Sequence, residues 1–467
     1  MERRPYGVYA LYVAGRWWPV LVVPLFRLFT AIQQGALHTV VRDVVWCALP
    51  LLYGIFTWWA CRYRVSRLKR GWCYSMAVRQ GILVRRSLYV DAQHAVSIEV
   101  ERTPFLALCG GRRVRVNTEG LRRHSDMVLY LPSTQVETLF CLRDRPRLRR
   151  TRLFPIFVTA VSGSNAAVGL LTAVPILRQI GRILGDSPIP DAVGVLQRLM
   201  ATQVPAIIRL AGNLLLLGWA VAALRNFLRY IGFYAVVQGE CLHLVSGLFT
   251  RRDVLIDRDK ITAVELRQTV FMRLLGLHTA VLTAAGYGRD WGLRPVLIPA
   301  ADPKTLREEL GRLLPQYPMR TEYHAVKRKG WWRYVAAPLA VMVFSAPFWW
   351  GGGFWQVPAF ACLVFGGWWF WVRLLGWRGA GFGADSEAVT IRYPRGLALY
   401  QVHLPREAVD EVAVTQGIWQ RRTGTCTVTV RCFGEKKRRH RVWGMSYNTA
   451  LAEVEQMLDN KNTKGIP

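Results

Sequence analysis

The chain has 467 residues, 52% of them hydrophobic, yet carries 62 Lys and Arg against 30 Asp and Glu, a formal net charge of +32. A soluble domain mixes both signs more evenly, and no zinc finger, recognition helix or RNP motif speaks for nucleic acid. Apolar and basic residues instead separate into alternating blocks, the pattern of a membrane protein with positive cytoplasmic loops.

Crossing ~30 Å of hydrocarbon takes about 20 apolar residues. Six blocks approach that length: Trp17 to Ile32 (interrupted by Arg27), Val44 to Cys61, Phe154 to Leu177, Val204 to Leu224, Tyr334 to Phe348 and Phe354 to Val372. Tryptophan pairs such as Trp58-Trp59, Trp331-Trp332 and Trp368-Trp369 stand beside these blocks, as interfacial indoles do. The spacing predicts six transmembrane helices in three hairpins, over 1–62, 151–230 and 321–380. The segments between and after them, 63–150, 231–320 and 381–467, are arginine-rich. By the positive-inside rule all three, with both termini, are expected in the cytoplasm. No signal peptide with a small-residue cleavage site is seen, and the N-terminus is expected to stay inside.

The basic segments read as strands. Tyr74 to Val78, Ile82 to Val90 and Val96 to Val100 are β-branched and aromatic runs broken by Gly and polar turns. Each segment closes on a helical pattern. Ser133 opens one with Val136, Leu139 and Phe140; Asp302-Pro303 opens one with Leu306, Leu310 and Leu313; Ser446 opens one with Ala450, Leu451, Val454 and Leu458. The predicted fold class is therefore an α+β membrane protein.

An internal repeat ties the segments together. Gly81, Arg85-Arg86, Val90-Asp91, Ile98-Glu99, Thr103, Phe105, Leu108 and Gly110 recur without gaps as Gly247, Arg251-Arg252, Ile256-Asp257, Val264-Glu265, Thr269, Phe271, Leu274 and Gly276. A more diverged third copy places Gln416, Trp419, Arg421 and Gly424 where the second has Gln268, Phe271, Arg273 and Gly276. Leu404-Pro405-Arg406 stands for Ile256-Asp257-Arg258, and Ala413 replaces Glu265. In this motif Gly247 is expected to make a tight turn, Thr269 to cap a short helical turn, Phe271 and Leu274 to pack inward, and Gly276 to end the turn.

Phe271-Met272-Arg273-Leu274-Leu275-Gly276-Leu277, the Gly-hydrophobic-x-x-Arg-Arg stretch and the strand Ile261-Thr262-Ala263-Val264-Glu265 resemble the bacterial pleckstrin-homology-like domain of the second type. A chain with three such domains, each after a membrane hairpin, resembles the YdbT-like family of bacterial membrane proteins. The resemblance implies a seven-strand curved sheet closed by a C-terminal helix in each domain, a bacterial inner-membrane location and no enzyme activity. It also implies a role in envelope stress or antimicrobial-peptide resistance, alongside a small pleckstrin-homology-like membrane partner.

Candidate sites follow from charge. Arg85, Arg86, Arg251 and Arg252 sit beside a repeated turn, and Lys436, Lys437, Arg438, Arg439 and Arg441 form the densest basic run, at a hairpin tip. Anionic lipid or a protein partner is the ligand such arginines suit, each worth ~1 kcal/mol at a charged leaflet; a solvated basic edge is the alternative. Arg209, Asn213 and Asn165 are intramembrane polar candidates, and a six-helix transporter or channel lined by them is the second functional reading. No catalytic motif, cofactor signature or metal-ligand cluster is found; His94, His243 and His403 have no matching acidic or cysteine cluster. The expected partners are membrane lipids, the small pleckstrin-homology-like protein and a further copy of the chain. The leading functional reading is a non-enzymatic membrane protein whose β-domains bind proteins or the inner leaflet.

Overall fold

The computed structural model of the chain describes residues 3–15, 37–67, 74–82, 85–91, 94–118, 127–139, 151–163, 206–284, 295–315, 322–350, 356–432 and 439–463, with positions 17, 24, 27 and 317. They fall into two compact units, one drawn from 1–149 and 236–260, the other from 150–235, 261–284 and 291–467.

The first repeat comprises helices α1 (Val8–Gly15) and α2 (Leu37–Ala60), then strands β1 (Arg62–Arg67), β2 (Tyr74–Gln80), β3 (Arg86–Val90) and β4 (Ala95–Arg102), helix α3 (Pro104–Leu108), strands β5 (Gly111–Thr118) and β6 (Met127–Pro132), and helix α4 (Ser133–Leu139). The second has α5 (Leu153–Ser162) and α6 (Ala206–Tyr230), then β7 (Tyr234–Gln238), β8 (Cys241–Ser246), β9 (Arg251–Asp257) and β10 (Ile261–Thr269). Helix α7 (Val270–Leu274), β11 (His278–Ala284), β12 (Val296–Ala301) and α8 (Pro303–Leu313) complete it. The third adds β13 (His324–Ala325), α9 (Trp332–Trp350), α10 (Gln356–Arg378), β14 (Gly381–Ala384), β15 (Ala388–Arg395), β16 (Ala398–Pro405) and β17 (Val409–Thr415). It ends with α11 (Ile418–Thr423), β18 (Thr425–Cys432), β19 (Arg439–Ser446) and α12 (Tyr447–Thr463).

The expectation of six transmembrane helices is not upheld. Among the described residues one helix, Val40–Ala60 within α2, is long and apolar enough to cross a membrane. Its apolar side chains are exposed around the helix, Val41, Trp46, Ile55 and Phe56 among them, as lipid-facing residues are. No other helix reaches that length and hydropathy over its described residues. Helix α6 carries Arg209, Asn213, Arg225, Asn226 and Arg229, and α9 holds Pro338 and Pro347. Helix α10 has four tryptophans and three glycines among its 23 residues, with Arg373 and Arg378, and indoles favour the interface over the hydrocarbon centre. Helix α1 has 8 residues and α5 has 10; the remainder of the blocks from Trp17 and from Phe154 lies outside the described residues.

The strands also depart from one closed sheet per segment. In the first unit β1, β2 and β3 form one antiparallel sheet, while β4, β5 and β6 continue into strands of the second repeat, in the order β6-β5-β4-β9-β8-β7. The two sheets share a core of Met76, Val78, Val90, Ile98, Val100, Val114, Leu129 and Leu131, closed by Val136 of α4 and joined by Leu255 of β9. In the second unit β10, β11 and β12 continue into the third repeat, in the order β12-β11-β10-β16-β15-β14-β13, and β17, β18 and β19 form a sheet of their own. Phe382, Val389, Ile391, Val402 and Leu404 meet Val428, Val430, Val442 and Met445 in its core, with Ala450 of α12.

Each repeat thus divides its strands between two sheets, three and three in the first two copies and β13 to β16 against β17 to β19 in the third. The seams between repeats, β4 with β9 and β10 with β16, are antiparallel and share a register. Glu99 lies opposite Val254, and Glu265 opposite Val402; these four positions correspond in the repeat. A β-bulge recurs at the same place in each copy, at Ala95/Ser97, Ile261/Ala263 and Val409/Glu411. Pairing satisfies backbone edges that a lone three-stranded sheet leaves open, which a segment-by-segment reading does not foresee.

Candidate functional site

The most repetitive surface of the molecule is the short helix after β4, β10 and β17. Thr103 Oγ1 accepts the Leu106 N–H at 3.2 Å and Thr269 Oγ1 accepts that of Met272 at 3.3 Å; in the third copy Gln420 Oε1 accepts the Gly417 N–H at 3.0 Å. Left-handed glycines end the turns, with φ of 69° at Gly110, 68° at Gly276 and 60° at Gly424. Each helix buries one equivalent residue, Leu106, Met272 or Gln420.

The expectation that Phe271 and Leu274 pack inward is wrong. Phe105, Phe271 and Trp419, at one repeat position, all point out, as do Leu108 and Leu274; Leu108 is 89% exposed, Leu274 79% and Trp419 69%. Residues three apart share a helix face, so once Met272 faces the core, Phe271 and Leu274 face away from it. Ile418 is exposed too, and Arg422 stacks over the Trp419 ring at 5.5 Å.

The short helix that bears each knob lies by the first apolar helix of its repeat. Tyr6 donates to the Cys109 carbonyl at 2.9 Å, and Val8 of α1 packs with Leu106 and Tyr130. Thr159 of α5 accepts the Ala300 N–H at 2.8 Å, while Val158 packs with Met272 and Ala300. Tyr334 of α9 donates to the Trp443 carbonyl at 2.9 Å and accepts the Trp443 N–H at 3.1 Å. In the third copy α11 and the start of α9 enclose a groove of about 390 Å³ lined by Lys329, Trp332, Arg333, Trp419, Arg422 and Thr423. Three cations and two indoles suit an anionic headgroup with its apolar base.

The sequence candidates are dispersed. Arg85 and Arg86 are exposed. Arg252 reaches Glu101 at 3.3 Å and Glu99 at 3.9 Å, and Arg251 reaches Asp253 at 3.7 Å, all at the β4–β9 seam. Arg439 and Arg441 are exposed on β19, while Lys436, Lys437 and Arg438 lie outside the described residues. Arg209 and Asn213 fall within α6, but their side chains, like Asn165 altogether, lie outside them too. The transporter reading rested on six crossings, of which the described residues show one.

Sequence reading missed the buried charges. Glu99 and Glu101 are enclosed by Arg113, Arg115 and Arg252, with Arg115 at 3.1 Å and Arg113 at 3.5 Å from Glu101. The alternation of two acids on β4 against two arginines on β5 was the available signal. His243, read as without a matching acidic or cysteine cluster, has the single carboxylate of Asp253 at 3.6 Å. No group of three metal-ligating side chains occurs among the described residues.

The family model for the bacterial PH domain matches residues 193–314 and again 337–459, together more than half of the chain. The chain belongs to this bacterial PH-domain family. The UPF0699 transmembrane protein YdbT of Bacillus subtilis (strain 168) is 22% identical over 189 residues, which are 40% of this chain and 38% of that protein. The match therefore spans well under half of the relative's length. No solved structure matches. The PH-like domains and the transmembrane relative together make this a membrane-associated protein of YdbT-like type.

Proposed function

We propose that the protein is a non-enzymatic membrane scaffold whose PH-like domains rest on the cytoplasmic leaflet of a bacterial inner membrane and offer their remaining surfaces to protein partners. The observation that carries this is the exposed apolar knob at one position of all three repeats, Phe105, Phe271 and Trp419, each on a short helix beside an apolar one. Burial in an apolar phase gains roughly 1.5–3 kcal/mol for such a side chain, and an excess of arginine adds attraction to anionic lipid. The groove at Lys329, Arg333 and Arg422 is the place for a headgroup phosphate. The physiological setting we propose, following the family resemblance, is envelope maintenance under membrane-active peptides. A deletion strain with unchanged peptide sensitivity would remove that setting and leave the scaffold reading intact.

The scaffold reading is tested by lipid adducts. The full chain in nanodiscs containing a photoactivatable phosphatidylglycerol is irradiated and mapped by mass spectrometry. Adducts are expected at Phe105 to Leu108, Phe271 to Leu274 and Ile418 to Trp419. Labelling confined to Val40–Ala60, with all three knobs clean, rules out the membrane-facing assignment.

A further inference from the structure

The repeats end in two halves of a seam. Strand β17 holds the place that β4 and β10 hold in their copies, with the bulge at the same position. Strand β3 holds the place of β9 and β16. Where the equivalents pair with each other, β17 pairs with β18 and β3 with β2, and neither has a second neighbour among the described residues. Each leaves a row of backbone donors and acceptors open. The side chains show the same asymmetry. Leu255 and His403, one repeat position in β9 and β16, are 4% and 2% exposed, whereas Tyr89 at that position in β3 is 70% exposed. Ile98 and Val264 are buried opposite them, whereas their counterpart Val412 is half-buried.

We propose that the chain associates head to tail with a second copy of itself, β17 of one molecule pairing antiparallel with β3 of the next, Val412 opposite Tyr89, Ala413 opposite Leu88 and Thr415 opposite Arg86. The register is that of the two interior seams. Ile98 faces Leu255, Glu99 faces Val254 and Glu101 faces Arg252; likewise Val264 faces His403, Glu265 faces Val402 and Arg267 faces Tyr400. The occupant is a second copy because this same sequence carries the complementary edge, continuous with a seam it already uses twice. In the new seam Tyr89 joins Val412 and Val414 at the margin of the third repeat's core, as Leu255 joins Ile98 and Val100 in the first.

The outer seam is the weaker one. Ala413 stands where the interior seams have Glu99 and Glu265, so Arg86 finds no equivalent of the acidic pair that holds Arg252. Backbone pairing and apolar contact carry the association, making it reversible with protein concentration. Such a heterologous interface closes into a ring or runs on as a filament. It does not depend on the lipid-facing knobs, which lie elsewhere in the repeat.

The test replaces Tyr89 with the photo-crosslinker p-benzoylphenylalanine in the full chain and irradiates membranes of cells expressing it. A cross-linked dimer is expected, its adduct mapping to residues 409–415. In detergent, light scattering is expected to show mass rising above the monomer with concentration, and Tyr89→Asp and Ala413→Lys are each expected to return it to the monomer. Hydrogen exchange in β2 and β18 checks that either variant remains folded. A monomer at every concentration, or an adduct mapping away from β17, overturns the proposal. The cross-link needs no destabilising substitution, so it decides even where a charged variant misfolds, and the lipid-adduct experiment judges the membrane reading separately.

Discussion

The two interior seams are alike in backbone and unlike in chemistry. Between β4 and β9 the buried Glu99 and Glu101 are held by three arginines. Between β10 and β16 the equivalent stretch carries Arg267 over the Tyr400 ring at 5.6 Å and a neutral, buried His403. Its Nδ1 lies 3.0 Å from Thr390 Oγ1 and its Nε2 2.9 Å from Gln401 Nε2. Glu265, the counterpart of Glu99, is bonded by the Thr283 hydroxyl at 3.4 Å. Bulge position and strand pairing therefore set the register, and side chains adapt to it: one seam through clustered ion pairs, the other through a hydroxyl on Glu265, a cation over an aromatic ring and a buried imidazole.

The largest expected effect separates the two chemistries. Glu101→Gln leaves Arg113, Arg115 and Arg252 without their shared carboxylate, a loss of about 3–5 kcal/mol for a buried pair broken on one side. Glu265→Gln, which keeps an oxygen for the Thr283 hydroxyl, is expected to cost less, about 1 kcal/mol. Exchange protection of β4 and β9 against β10 and β16 reads both. Equal losses would mean that the arginines do not distinguish the seams.

Acid is expected to act next, on the seam of β10 with β16. Burial, then the charge of Arg392, holds the His403 imidazole down at about 4. Between pH 6.5 and that value the unfolded chain binds a proton that the folded seam refuses, so stability falls as pH falls. The loss reaches roughly 3 kcal/mol at the lower end. Urea midpoints followed at β16 should drop over this window, and His403→Gln should abolish the drop. A pH-independent midpoint in the parent would show that His403 takes up its proton as readily folded as unfolded.

The smallest effect tests how far the copies are interchangeable. Thr103→Ala and Thr269→Ala each remove one cap and should each cost about 1 kcal/mol, read as local exchange in α3 and α7. A marked inequality would show that the packing of α1 on Leu106 and of α5 on Met272 differs more than the repeat suggests.

Much of the molecule was legible in the sequence. The turn at Gly247, the caps at Thr269 and Asp302, and the strand through Ile261 to Glu265 appear where the pattern puts them. Local chemistry decides these elements. The pairing of strands across repeats was not legible, because a strand's alternation names its inward face and is silent about its neighbour along the sheet. The six-helix expectation is not upheld because the described residues hold one helix of sufficient length and hydropathy, whereas α9 carries Pro338 and Pro347. The knob was misread because in a five-residue helix the choice between Met272 and its neighbours for the core depends on the sheet beneath.

The common register of the seams bears on how such chains grow. Since β4 accepts β9, and β10 accepts β16 in the same frame, excision of one whole repeat would bring β4 against β16 with no further edge left unmatched. Insertion of another would lengthen the series on the same terms. Removal of half a repeat would instead strand an edge in mid-chain. Gene duplication acting on this architecture is therefore quantised: whole units come and go cheaply, and fractions do not.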